Sequence, residues 1–181
     1  MPSTGVGNGE RTMATKKVFQ TNLKVIEPSR KPLRPGDIFA MQIPNGRYLF
    51  GRVIEADLPE GVGPLPRSNL IYIYAGIHET MRPDLSRLVP SNLLLQPLFT
   101  NRLGWSKGYF KTVANEPIQE SDRLKGQHFF HHFTRKYFDV GWKEVPASNA
   151  PGGDWGVVSY RRIDDLISDA LGLPRVPVEE E

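Results

Sequence analysis

The side chains best suited to chemistry in this 181-residue chain are the imidazoles of His128-Phe129-Phe130-His131-His132. Histidine titrates near neutral pH and is a common metal ligand. On a helix, His128 and His132 would share a face and suit a zinc ion. The surrounding Phe133, Tyr137 and Phe138 predict a strand instead. On a strand His128, Phe130 and His132 point one way, and Phe129 and His131 the other. His128 and His132 then stand about 13 Å apart, too far to share one ion. They are weak metal candidates, and no cofactor is expected. An enzyme built on His128 or His132 with a nearby carboxylate is the catalytic alternative, and it needs groups that converge in space.

The carboxylates have structural explanations. Asp37 follows Gly36 in a turn, and Asp154 closes the turn-like run Pro151-Gly152-Gly153-Asp154. Asp164 and Asp165 fall in the first turn of a helix, where negative charge meets the positive end of the helix dipole. Nucleophile elbow, phosphate-cradling loop, dinucleotide fingerprint and metalloprotease pair are all missing from the sequence. There is no cysteine, hence no thiolate nucleophile and no disulfide. The chain is not expected to be an enzyme.

Aromatic residues interleaved with cations form two groups: Trp105, Lys107, Tyr109, Phe110 and Lys111, then Arg135, Lys136, Tyr137, Trp142 and Lys143. Three readings fit them. They are core residues, anchors of a protein interface, or the stacking face of a small barrel that binds single-stranded nucleic acid. The net charge of +3 is only mildly basic. Arg11, Lys16, Lys17, Lys24, Arg30, Lys31 and Arg34 concentrate it early, and Glu179, Glu180 and Glu181 close the chain. Solvated charge explains this distribution without a nucleic-acid partner.

Short strands must position these groups, because 17 glycines and 16 prolines punctuate the chain. Val18 to Ile26 alternates as an edge strand would. The clearest signal is a hairpin, with Ile38 to Ile43, a turn at Pro44-Asn45-Gly46, and a return from Arg47 to Glu55. A two-residue Asn-Gly loop would set Phe39 against Arg52, Met41 against Phe50 and Ala40 against Gly51. Apolar residues on both faces place the hairpin centrally in its sheet. Further strands are expected at 69–75, 93–99, 108–113, 128–133, 136–140 and 156–160, with one helical turn near 81–88. Ile163, Leu166, Ile167, Ala170 and Leu171 mark an amphipathic helix over 161–171, stopped by Gly172 and Pro174. The expected fold is therefore mainly β: a twisted antiparallel sheet or small SH3-like barrel with a C-terminal amphipathic helix. Residues 1–32 read as a flexible extension and linker, 33–173 as a single β-rich domain, and 174–181 as an acidic tail. No window carries the roughly 18 unbroken apolar residues of a membrane span. Residues 1–30 have no apolar core like that of a secretory signal. Cytoplasm is the expected location.

Three runs stand together in order: Arg34-Pro35-Gly36-Asp37-Ile38-Phe39-Ala40, Gly46 to Val53, and Gly153-Asp154-Trp155-Gly156-Val157-Val158-Ser159-Tyr160, with Phe99 to Phe110 between the second and third. With these the chain resembles the immunity protein 26 family over about residues 33–173. The resemblance implies a mostly β domain, encoded beside a polymorphic toxin, that protects its own bacterial cell by binding a cognate toxin domain. Gly36, Gly46, Gly51, Trp155 and Gly156 read as fold determinants within it. A basic chain is a poor complement to a cationic nuclease. On this reading the contact surface lies on loops 57–68, 100–108 and 143–153, with Trp105, Tyr109, Tyr137 and Trp142 as anchors. A small barrel binding single-stranded nucleic acid is the rival.

Overall fold

A computed structural model describes residues 20–149 and 152–177. In chain order the first elements are β1 (Asp37–Gln42), β2 (Tyr48–Glu55), β3 (Asn69–Ile73), β4 (Leu98–Thr100), α1 (Leu103–Ser106) and β5 (Lys111–Asn115). They are followed by β6 (His128–His131), β7 (Lys136–Phe138), β8 (Glu144–Val145), β9 (Gly152–Asp154), β10 (Val157–Val158) and α2 (Tyr160–Leu171). A six-stranded sheet runs β10-β4-β3-β2-β1-β5, and a four-stranded sheet runs β8-β7-β6-β9. The mainly β fold with a C-terminal helix is as the sequence predicts. Two pairings, β10 with β4 and β6 with β9, are parallel, so both sheets are mixed.

The β1–β2 hairpin forms, but its register is one residue off the expected one. Phe39 pairs with Gly51, Ala40 with Phe50 and Met41 with Leu49. Pro44 joins the turn: Ile43 N–H donates to the Arg47 carbonyl at 2.9 Å, which leaves three residues in the loop. Asn45 and Gly46 take the left-handed conformation at φ 73° and 72°, as an Asn-Gly turn requires. The shift lays the Phe39 ring across the bare Cα of Gly51, where a Cβ would overlap it. Gly51 thus accommodates a side chain and not a neighbouring strand.

Every residue of β3 is buried, and β1 and β2 are nearly so, because both faces of the large sheet are covered. On one face Phe39, Met41, Leu49, Val53, Ile71 and Ile73 meet α2, Trp105, Tyr109 and Phe110. Tyr160, Ile163 and Ile167 supply the buried stripe of α2, at roughly 1.5–3 kcal/mol per fully buried large side chain. The Ser159 hydroxyl caps the helix by accepting from Arg162 N–H, and Gly172 at φ 69° ends it. On the opposite face Ile38, Phe50, Ile54, Tyr72 and Phe99 meet Phe129 of the small sheet. Here Arg52, itself buried, ties down the segment after β5. It pairs with Asp122 at 3.2 Å and donates to the Glu116 carbonyl at 2.8 Å.

Several local expectations shift. Residues 103–110 wind before β5 begins, with Tyr109 N–H and Phe110 N–H both donating to the Gly104 carbonyl. The strand expected at 108–113 therefore lies at 111–115. Pro97 delays β4 to Leu98, and Leu93 makes only a bridge to Tyr74. Leu85–Arg87 forms a single 3-10 turn. Gly152-Gly153-Asp154 is a strand where a turn is expected, since a Cβ at Gly153 would overlap the Pro97 carbonyl and only glycine fits between β6 and that segment.

Of the expected edge strand over 18–26, the described residues retain one bridge, Lys24 to Gln42. The segment that follows is fastened along its length. Ile26 N–H donates to the Gly108 carbonyl and Ser29 N–H to that of Trp105. Asn22 and Leu23 N–H both donate to the buried Asp164 carboxylate, at 3.1 and 2.7 Å. Burial pushes the Asp164 carboxyl above its ordinary range, against the pull of those two donors. The first 19 residues of the extension and residues 178–181 of the acidic tail lie outside the described residues.

Candidate protein-binding surface

The small sheet carries aromatic side chains on both faces. Strand alternation sends Phe129, His131 and, from the paired strand, Phe138 toward the large sheet. Phe129 lies on Phe99, with ring centroids 4.5 Å apart. His128, Phe130 and Tyr137 occupy the outer face, where Tyr137 meets His128 at 4.9 Å and Phe130 at 5.2 Å.

Between β7 and β8 the chain turns through Asp139-Val140-Gly141-Trp142. One oxygen of the Asp139 carboxylate accepts from Gly141 N–H at 3.0 Å and from Lys143 N–H at 2.9 Å. Trp142 N–H donates to the Asp139 carbonyl. This tight loop places Trp142 at φ 64°, in the left-handed region. A bulky residue is rarely found there, and the conformation costs about 1–2 kcal/mol. The indole stacks on Phe138 at 4.0 Å, with planes 8° apart, and lies 4.8 Å from Trp155 and 5.2 Å from His131.

The proline- and glycine-rich loop 57–68 closes over these rings. Gly63 N–H donates to the Val140 carbonyl at 2.9 Å, and Leu58 and Ser68 pair at the loop's base. Pro64, Pro66, His131, Trp142 and Trp155 line a shallow groove of about 370 Å³. Leu65, between those prolines, is 57% exposed; Trp142 is 43% exposed; and Phe133, in the β6–β7 turn, is 97% exposed. An apolar strip thus runs from Phe133 past His131 and Trp142 to Pro64 and Pro66, with Leu65 exposed between the two prolines. Contiguous exposed apolar surface of this kind marks sites of association.

The four expected anchors are not brought together. Trp105, 1% exposed, packs on Phe39 and Phe110, and Tyr109 stacks on Tyr160. Both are core residues with no surface to offer a partner, and residues 100–108 contain α1, with Gly104 and Trp105 buried and Arg102, Leu103 and Lys107 exposed. Tyr137 is half-buried on the outer face of the small sheet. Trp142 is the one of the four that lies in the apolar strip. Trp155, read from the sequence as a fold determinant, also lines the groove. Leu65, His131 and Phe133 complete the strip although no spacing marks them. The large apolar residues between prolines and within a hairpin turn were the signal available.

The histidines do not converge. His128 is buried, its Nδ1 3.1 Å from the Gly126 carbonyl and 3.2 Å from the Ser148 hydroxyl. His132 is exposed and pairs with Asp154 at 3.0 Å. Among the described residues no group of three or more His, Cys, Asp or Glu side chains could hold a metal ion. A larger cleft of about 780 Å³ opens between Leu70, Leu124, Phe129, Val140, Val145 and Pro146. Of the four ionisable groups on its wall, Glu120, Arg123, Lys125 and Asp139, Asp139 is engaged in its turn and Arg123 with Glu55 at 2.6 Å.

Residues 34–137 match the immunity protein 26 family. The chain belongs to that family. This immunity protein 26 member carries β1 to β6 and the start of β7 within the matched region. Trp142 and Trp155 follow it in sequence. No curated protein and no solved structure matches the chain. Among the described residues no helix is long and apolar enough to cross a membrane.

Proposed function

We propose that this immunity protein 26 member neutralises a cognate toxin domain in the cytoplasm of its own bacterial cell by direct binding and without catalysis. The apolar strip from Phe133 to Leu65 is the docking face, and Trp142 is its central anchor. One observation carries this reading: a tryptophan is kept half-exposed at a left-handed position that glycine or asparagine would occupy at lower cost. Outliers of this kind cluster at functional sites. Tryptophan is also among the residues that contribute most to interface affinity. Tyr137 stands on the outer face of the small sheet and belongs to a wider contact area.

Nucleic acid is the weaker partner. Asp154 stands opposite the half-buried Phe130, and Glu144 stands opposite Phe138 and is paired with Lys136 at 2.7 Å. These carboxylates repel a phosphate backbone.

The test is co-expression with the C-terminal domain of the toxin gene adjacent to this one, scored by survival and co-purification. Rescue with capture of the toxin by the wild type, and loss of both in the double variant Leu65→Ala/Trp142→Ala, is the expected result. Rescue by the double variant at wild-type level would remove the strip as the docking face.

A further inference from the structure

Strand β5 ends the large sheet. Its inner edge pairs with β1, and no described strand pairs with its outer edge. At five residues it is the longest of the four sheet-edge strands. Such an edge presents alternating N–H and C=O groups as a template for another strand. Here the edge looks into a cleft of about 390 Å³, walled on its far side by residues 27–34. The cleft is lined by Lys31, Arg34 and Lys111, with Leu33, Val113 and Ala114 as apolar wall. Arg102 lies against it, donating to the Lys31 carbonyl at 2.7 Å.

The two carboxylates of the cleft are committed. Glu27 holds Lys111 at 2.5 Å, and Asp37 accepts from Arg34 N–H at 2.9 Å and from Asn115 at 2.8 Å. Arg30 and Lys31 have no ion pair among the described residues. A ligand for this cleft therefore supplies strand-spaced backbone groups and negative charge.

We infer that the cleft between residues 27–34 and the outer edge of β5 binds an extended acidic peptide segment of a partner protein, which adds to the sheet as a further strand. Backbone pairing along the edge supplies affinity, and alternate side chains reach the basic rim. A second copy of this chain is a poor occupant, because the wall of residues 27–34 leaves room beside β5 for a single extended segment and not for the edge of another folded sheet. Single-stranded nucleic acid would find the charge but no exposed ring on which to stack, the Trp105 ring being core. The inference goes beyond the docking of a toxin on the Trp142 strip and does not depend on it.

The test uses the full chain and no toxin. A displayed library of random ten-residue peptides is selected against it, and amide exchange is followed with a synthetic copy of the most enriched peptide bound. The expected result is enrichment of proline-poor sequences carrying several Asp or Glu, with exchange over residues 111–115 slowed at least about tenfold. Raising salt from about 0.05 M to about 0.5 M should weaken binding about tenfold. The exposed double variant Arg30→Glu/Lys31→Glu should do the same at low salt, with an unchanged far-ultraviolet spectrum. Failure to enrich any peptide, enrichment without acidic residues, protection that falls on residues 139–143 instead, or full affinity in the double variant would each overturn the inference. So would protection of 111–115 by an oligothymidylate probe at lower concentration than by the peptide. Because the toxin takes no part, these failures leave the docking face of Trp142 to be judged by the co-expression assay alone.

Discussion

The Asp139 carboxylate and the Trp142 indole are linked through one turn. Asp139 accepts from the amides on either side of Trp142, Gly141 and Lys143, and so holds the backbone between them in a left-handed kink. The indole is thereby pressed flat on Phe138. Asp139 does not itself face the groove's apolar strip, so its part is to position the residue that does.

Replacing Asp139 by Ala leaves two amides without their acceptor, at a cost of about 1–3 kcal/mol in stability. The turn should then relax and free the indole. The expected outcome is a red-shifted tryptophan emission and toxin affinity reduced at least about tenfold. Asp139→Asn keeps one acceptor oxygen and should recover most of both. If emission and affinity stay at wild-type values in the alanine variant, the turn does not depend on the carboxylate.

Trp142→Gly separates the cost of the conformation from the value of the side chain. Glycine relieves about 1 kcal/mol of backbone strain but forfeits the stack on Phe138. Those effects oppose, so urea unfolding should change by no more than about 1 kcal/mol. Toxin affinity should fall by about 2 kcal/mol or more. A large stability loss with unchanged affinity would make Trp142 a packing residue.

A methyl group at position 51 has nowhere to go. The Phe39 ring occupies that volume, wedged between Gly51 and the Trp105 and Phe110 rings at 4.9 and 5.2 Å. Gly51→Ala should cost about 1–3 kcal/mol, the usual penalty of overpacking a filled core. Thermal unfolding checks it, and the companion Phe39→Leu/Gly51→Ala should recover part of the loss. No change in the midpoint for Gly51→Ala would mean that the hairpin holds the other register.

The period-2 and period-3.6 patterns were enough to read the mainly β class, the central hairpin and α2, because each is a local property. The register was not legible, since Pro44 could stand in the strand or in the loop and only tertiary packing chooses. Trp105 and Tyr109 look like anchors in sequence because Lys107 and Lys111 flank them; the winding at Gly104 turns the rings inward and leaves the cations outside. Strand β9 was unreadable for a similar reason: Gly152-Gly153 has turn composition, and its glycines serve a close approach to Pro97 instead. The groove joins loop 57–68 to residues near 131, 142 and 155. Such separations carry no periodic signal.

Asp164 clamps the chain's early segment to α2. Asn22 and Leu23 both donate to it, and Asn22 also reaches Ser168 and the Pro174 carbonyl. Asp164→Ala should release that segment without disturbing the sheet. Amide exchange at Asn22 and Leu23 is expected to quicken at least about tenfold, while β1 to β3 keep their protection. Quickened exchange throughout would instead make the clamp part of the global folding unit.

His132 and Asp154 form the pair that a catalytic reading would choose, and their setting argues against it. Both side chains are about 70% exposed, as 69% and 70%, and an exposed pair contributes little energy and is bathed in water. General acid–base chemistry gains from a site that excludes water and holds the pair in place. His132 neighbours Phe133 at one end of the apolar strip, so His132→Ala is expected to lower toxin binding and protection together, by no more than about fivefold. Asp154→Ala should change neither by more than about twofold. Titration calorimetry and the survival assay, run on the same variants, discriminate the alternatives. Protection lost while affinity is kept would mean that the pair acts on the toxin chemically, and binding alone would no longer explain how this chain protects a cell.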